Sequence, residues 1–188
     1  LHSDKNSAYS KYMDDAIFKL PTPLVLSKVI DCLDDIYVLM GQSNEVDIRG
    51  DVYEYLLSKI STAGRNGQFR TPRHIIRMMV ELMDPKPQDT ICDPACGTGG
   101  FLVGASDYLR ETYRNEILMN KDNREHYMNH MFYGFDMDRT MLRIGAMNMM
   151  THGVESPFIE YRDSLSDQNL DTDKYSMILA NPPFKGTL

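Results

Sequence analysis

The sequence has no tryptophan, only three cysteines, and no apolar run of the roughly eighteen residues that a membrane-crossing helix needs. Cys32, Cys92 and Cys96 form neither a CxxC pair nor an even set, so a disulfide framework is excluded. Positive charge is also short. Twenty Lys and Arg against twenty-seven Asp and Glu leave a net charge of −7, whereas a chain that holds duplex DNA alone presents a basic face to the phosphates. Any nucleic-acid contact must be local or shared with a partner. Twelve Gly and nine Pro show no low-complexity tract. What remains is 188 residues, 42% hydrophobic, enough for a globular chain with a real core. The chain opens on Leu1 without a signal-peptide pattern, so we read it as cytoplasmic, reduced, off the membrane, and cut from something longer.

One basic patch does exist: Lys59, Arg65, Arg70, Arg73 and Arg77 fall between Ser58 and Val80 with no acid among them. It is weighed against a plain solvated helix face. The region before it reads as helical. Thr22-Pro23 supplies an N-cap and first-turn proline, and Leu26, Val29, Ile30, Leu33, Ile36, Tyr37 and Met40 recur at helical spacing until Gly41. A second helix opens at Asp51 with Glu54 in capping-box position. The glycine-rich stretch Ser61 to Gln68 breaks the pattern, giving a helical domain over 1–62 and a second domain over 63–188.

The second domain alternates helices with short apolar strands, which predicts an α/β fold: a mainly parallel sheet with helices on both faces. Strands are expected at Thr90 to Asp93, Met131 to Asp136, Phe158 to Tyr161 and Tyr175 to Ala180, the last read as covered on both sides. One helix follows Thr71-Pro72, with Ile75, Ile76, Met79, Val80 and Met83 inward. A second turns Phe101, Gly104, Ala105, Tyr108 and Leu109 toward the sheet, and a third runs over Arg139 to His152. Seven methionines between Met128 and Met150 read as flexible core filling, not as a thioether metal site.

The strongest local signal is Asp93-Pro94-Ala95-Cys96-Gly97-Thr98-Gly99-Gly100-Phe101, an acid closing a strand before a glycine turn into a helix. Glycines let backbone approach a ligand with positive φ, and a strand-end carboxylate accepts from an amine or hydroxyl. No Lys-Ser/Thr follows the glycines, and Leu102 stands where a third dinucleotide-binding glycine would be, so phosphate cradles lose ground. S-adenosylmethionine, with an amine and a ribose but no phosphate, fits. Its expected contacts are Asp93, Pro94, Ala95, Gly97 and Gly99. Asp136 ends the second strand beside Met137 and takes the ribose hydroxyls, and Asp163, read as ending the third strand, accepts from the adenine amine.

The fourth strand closes with Asn181-Pro182-Pro183-Phe184. Two prolines remove two backbone donors and stiffen the loop, leaving the Asn181 side-chain oxygen and the Pro182 carbonyl to accept from a planar amine. Such acceptors draw a conjugated nitrogen toward tetrahedral shape and aim its lone pair. Phe184 would stack on the ring bearing the amine. The pair His126 and His130 lacks a third ligand, Cys96 is assigned no catalysis, and no G-x-S-x-G elbow is present; no metal site is expected.

In the order Gly67-Gln68-Phe69-Arg70-Thr71-Pro72-Arg73, DPACGTGGF, GFDMD and NPPF, the chain resembles the amino-methylating DNA methyltransferases, above all the modification subunits of type I restriction-modification systems. The resemblance runs from about Asp47 onward. It implies an N-terminal helical domain, then the first half of a Rossmann-like methyltransferase domain whose first four strands lie in the order 3-2-1-4. It assigns Phe69 and Thr71 to the methionine part of the cofactor, and N6 of adenine as the methyl acceptor. Duplex DNA, a separate specificity subunit and a restriction subunit are the implied partners. Rival readings are amino-methyltransferases of ribosomal RNA guanine or protein glutamine, and a non-catalytic assembly module.

Overall fold

The computed structural model describes residues 8–13, 17, 19, 22–40, 50, 52–53, 55–57 and 71–182. The expected capping box at Asp51 and Glu54, the linker at 61–68, the domain boundary at 62/63, Phe69, Pro183 and Phe184 lie outside these residues. Two helices lead, α1 (Ala8–Met13) and α2 (Pro23–Met40). Thr22 caps α2 as its sequence suggests, Oγ1 accepting from Val25 N at 3.3 Å. Its apolar stripe is not buried among the described residues: Val29, Ile30 and Leu33 are all exposed.

The remaining elements alternate in the predicted manner. They are α3 (Arg73–Met83), β1 (Ile91–Asp93), α4 (Gly100–Thr112), α5 (Arg114–Met119), α6 (Lys121–Asn129), β2 (Phe132–Asp136), α7 (Arg139–Thr151), β3 (Phe158–Tyr161) and β4 (Met177–Ile178). The four strands form one parallel sheet in the order β3-β2-β1-β4. The connections through α4 to α6 and through α7 step from β1 to β2 and on to β3, and the helix-free stretch after β3 returns to the other side of β1, which is Rossmann-like α/β topology. It gathers every strand's C-terminal end on one edge.

Side-chain alternation builds the core. Ile91, Phe132, Ile159, Met177 and Leu179 join Leu102, Ala105 and Leu109 of α4 and Ala146 and Met149 of α7 in one buried cluster. Each fully buried Leu or Ile there contributes about 1.5–3 kcal/mol relative to exposure. Met131 and Met149 are fully buried in it and fill the core as expected, whereas Met137, another of the seven methionines, is exposed. The opposite sheet face carries Tyr133, Phe135, Phe158 and Tyr175, with Tyr133 5.1 Å from Phe158 and 5.2 Å from Tyr175 between ring centroids. Arg162 lies 3.9 Å over Phe135. Among the described residues, rings and cations occupy this face where helices were expected.

Four other expectations are corrected. β4 spans two residues instead of six. Backbone bonds from Ser176 N and Met177 N to Thr90 O and from Leu179 N to Cys92 O extend its contact with β1, but Ile178 is 58% exposed, so one face alone is covered. Gly104 faces α3 and not the sheet: a Cβ there would stand 2.5 Å from Ile76 Cγ2, so the missing side chain lets two helices cross closely. Met83 is 50% exposed, being past the last turn that α3 presses on α4. Asp163 does not end β3, which stops at Tyr161.

No helix among the described residues is long and apolar enough to cross a membrane. Among those residues, too, no group of three or more His, Cys, Asp or Glu is placed to hold a metal ion. His126 Nε2 instead lies 2.7 Å from the Asp89 carbonyl oxygen.

Candidate active site

The glycine loop from Asp93 to Gly99 leaves β1 and bends back over the end of β2. Cys96 N donates to Phe135 O at 2.9 Å, and Gly97 N donates to Asp136 Oδ2 at 2.9 Å. Gly97 and Gly99 hold φ of +51° and +76°, the left-handed region where a side chain is strained. They differ in surroundings. Gly99 sits against Gly145 of α7, whereas a Cβ on Gly97 would meet nothing within 4 Å, so open space lies above this backbone.

Three residues outside the predicted set fix the loop, two by their side chains and one by lacking one. Asn148, fully buried in α7, donates from Nδ2 to Thr98 O at 2.9 Å. Gly145, one turn earlier, leaves room for the loop, since a Cβ there would stand 3.0 Å from Gly97 O. Ser164 donates to Pro94 O at 2.6 Å, tying the chain after β3 to the same turn. Asn148 carried a legible signal, a polar residue on the buried face of an apolar helix; Ser164 carried none.

Three acids converge on this edge. Asp93, 2% exposed, accepts from Ala95 N at 3.1 Å, and no ion pair reaches it among the described residues. Burial, together with the nearby Asp136 charge, raises its pKa to about 7, against the lowering effect of the Ala95 bond. Asp136 accepts through both oxygens, Oδ2 from Gly97 N and Oδ1 from Asp138 N at 2.8 Å. Each oxygen keeps a second lone pair for a ligand hydroxyl. Met137 follows it, 59% exposed at the edge. Asp163 stands two residues past β3 in a turn, Oδ1 accepting from Leu165 N at 3.0 Å. Pro94 and Ala95 are half-buried in the turn itself. Cys96 is buried, and desolvation beside Asp93 and Asp136 raises its thiol pKa, which keeps it from acting as a thiolate.

The chain beyond β4 arrives at the same edge. Leu179, 2% exposed and bonded to Cys92 O, anchors it; Asn181 and Pro182 follow on the surface. Asn181 Nδ2 donates to Thr71 Oγ1 at 3.0 Å, joining the residue before α3 to the loop after β4 across 110 positions of sequence. Of the predicted site, the structure brings together Thr71, Asp93, Pro94, Ala95, Gly97, Gly99, Asp136, Met137, Asp163, Asn181 and Pro182 at the C-terminal edge of one sheet.

The N-6 DNA Methylase family pattern matches residues 44–187. The chain is 34% identical over 175 residues to the methylase subunit of the type I restriction enzyme EcoEI from Escherichia coli, covering 92% of this chain and 34% of that subunit. A chain from a structure of type I restriction-modification complex assembly and conformational transition superposes with a TM-score of 0.66 at 33% identity, over 77% of this chain and 29% of that one. For the M protein of the type I restriction enzyme EcoKI, the TM-score is 0.57 at 26% identity, over 64% of this chain and 26% of that one. This chain spans about a third of the length of the curated relatives it matches. With the family pattern covering most of its length, the chain belongs to the N-6 DNA methylase family.

Proposed function

We propose that this chain carries the cofactor site and the base-gripping loop of an adenine-N6 DNA methyltransferase, and works in a type I restriction-modification complex with duplex DNA, a specificity subunit and a restriction subunit. The observation that carries the reading is the convergence of Asp93, the open Gly97 backbone, Asp136 and Asn181 on one sheet edge. These residues fit S-adenosylmethionine. The space over Gly97 admits a ligand, Asp136 retains acceptor capacity for two ribose hydroxyls, and buried Asp93 suits a cationic amine. Asp163 would accept from the adenine amine, with Met137 and Phe69 against the cofactor's apolar surfaces. Bound there, the cofactor supplies a methyl group on a sulfonium.

The chain's own part is positioning. A target adenine must leave the duplex before its amine can reach this edge. Asn181 Oδ1 and the Pro182 carbonyl accept the amine's two hydrogens, which turns its lone pair away from the ring and toward the methyl. Pro183 restrains the loop, and Phe184 stacks on the base. No strong base is required before attack, because the amine is neutral and sheds its proton afterwards. An acidic chain suits this division of labour, since sequence reading falls to another subunit.

The test is transfer of labelled methyl groups by the full-length chain with its partner subunits, followed by digestion of the DNA to nucleosides. Label in N6-methyladenine is expected. Label in N4-methylcytosine, in ribosomal RNA or in protein would overturn the choice of substrate, and absence of transfer by a cofactor-bound complex would overturn the activity.

A further inference from the structure

We infer that Thr71 is a positioning residue for the reaction, holding the Asn181 amide in the orientation that turns Oδ1 toward the target amine. The inference rests on the proposed role of Asn181 as the acceptor for that amine. An asparagine amide presents an acceptor on one side and a donor on the other, and the two are nearly the same size. A half-turn would set an NH2 group against the substrate's NH2. A hydroxyl can pair with either end of the amide, and in the structure it takes the donor end: Asn181 Nδ2 donates to Thr71 Oγ1 at 3.0 Å, which leaves Oδ1, the end that the substrate's amine selects, turned away from Thr71. The amide is planar, so fixing Nδ2 leaves Oδ1 on the opposite side.

The Thr71 hydroxyl does no capping work, and with Asn181 as its partner the methionine contact that the resemblance assigns to Thr71 falls to its other atoms. The residue at the cap of α3 is Pro72, which makes no side-chain cap bond, and Ile75 N and Ile76 N are satisfied by the Pro72 carbonyl. A threonine before a helix is ordinarily read as a cap; here its oxygen turns to a loop 110 residues away. Both ends of the contact are held by the core. On one side Ile76 and Val80 of α3 are buried, and on the other Leu179 is buried and bonded to Cys92 O two residues before Asn181. A bond between two anchored elements can set an orientation; the same bond between two loose loops could not.

The test uses the full-length chain in its complete complex, with single-turnover methyl transfer measured at saturating cofactor and DNA. Thr71→Val keeps the shape and removes the acceptor, and should slow transfer about ten- to a hundredfold, a loss that more cofactor does not repair. Thr71→Ser keeps the hydroxyl and should stay within about threefold of wild type. Adding Thr71→Val to Asn181→Ala should cost nothing further, since the group it positions is already gone. Full single-turnover rates in Thr71→Val, equal losses in the Ser and Val variants, or additive losses in the double variant would each overturn the inference while leaving the methyltransferase reading intact. A wild-type complex that binds cofactor and methylates no DNA would instead remove that reading and this inference with it.

Discussion

The backbone N–H of Gly97 donates to Asp136 Oδ2 at 2.9 Å, so the glycine loop after β1 is tied to the last residue of β2 by the same carboxylate proposed to hold the ribose. Loop shape and ligand contact therefore share one group. Asp136→Ala should weaken S-adenosylmethionine binding by about 1.5–3 kcal/mol, the range for losing hydrogen bonds to a charged partner. Titration calorimetry on the full-length protein checks it, and unchanged affinity in a folded variant would remove Asp136 from the site.

Gly97 allows the effect of backbone conformation to be separated from steric fit. Its φ of +51° disfavours any side chain, yet a Cβ would clash with nothing. Gly97→Ala should thus cost about 1–2 kcal/mol of stability in a urea melt. Gly97→Asn, which tolerates left-handed backbone better, should cost less. The opposite ranking would show that open space, not φ, governs the position.

Asp93 predicts a pH dependence. Its folded pKa of about 7 lies above the ordinary 3.8, so the folded protein holds a proton that the unfolded chain has released. Stability without ligand accordingly falls as pH rises from the unfolded to the folded value, and is flat above it. A cationic amine favours the ionised carboxylate. Affinity for S-adenosylmethionine should then rise about fivefold between about pH 6 and about pH 7.5, above which an α-amino group begins to lose its own proton, with protons released on binding. Calorimetry in buffers of different ionisation enthalpy would count those protons; a pH-independent affinity would show that Asp93 does not face the amine.

Much of this was legible in sequence, and the exceptions have physical causes. β1 and β2 stop at their acids, Asp93 and Asp136, because a turn or bend follows at once, whereas β3 stops two residues short of Asp163; the length of β4 is not legible because a hydrophobic run does not say how many residues keep their ladder bonds. Helical periodicity gives Gly104 an inner face but not the neighbour it meets, and that neighbour is Ile76 rather than the sheet. Ser164 was invisible since its partner is a carbonyl, which every residue has. The Asn181 to Thr71 bond was hidden for a related reason: Thr71 precedes a proline and a helix, and that pattern points to capping.

Tyr12 offers a test of how the far edge is kept closed. Its hydroxyl donates to Pro157 O at 2.6 Å and accepts from Ile159 N at 3.1 Å, so one group satisfies an outward carbonyl and an outward N–H beside β3, the edge strand. Burial raises its pKa, as expected for a phenol enclosed by α1 and the strand. Tyr12→Phe should cost about 1–3 kcal/mol through two unsatisfied backbone groups. Faster amide exchange at Ile159 would locate the loss, and an unchanged melt would mean that water takes the hydroxyl's place.

Asn181 separates chemistry from binding. It stands past β4, across the sheet edge from Asp136 at the end of β2, and its side chain bonds Thr71 rather than any of the three acids. If it acts on the target amine, Asn181→Ala should lower the methyl transfer rate by roughly two to three orders of magnitude, the scale of losing a preorganised group at the reacting centre. Cofactor affinity should stay close to wild type. Asn181→Asp, which keeps an acceptor on each side, should fall less than Asn181→Ala in single-turnover transfer. A variant that retained full turnover would refute the role. One that lost cofactor binding in proportion to rate would place Asn181 against the cofactor, and the amine would then have to be held by the Pro182 carbonyl alone.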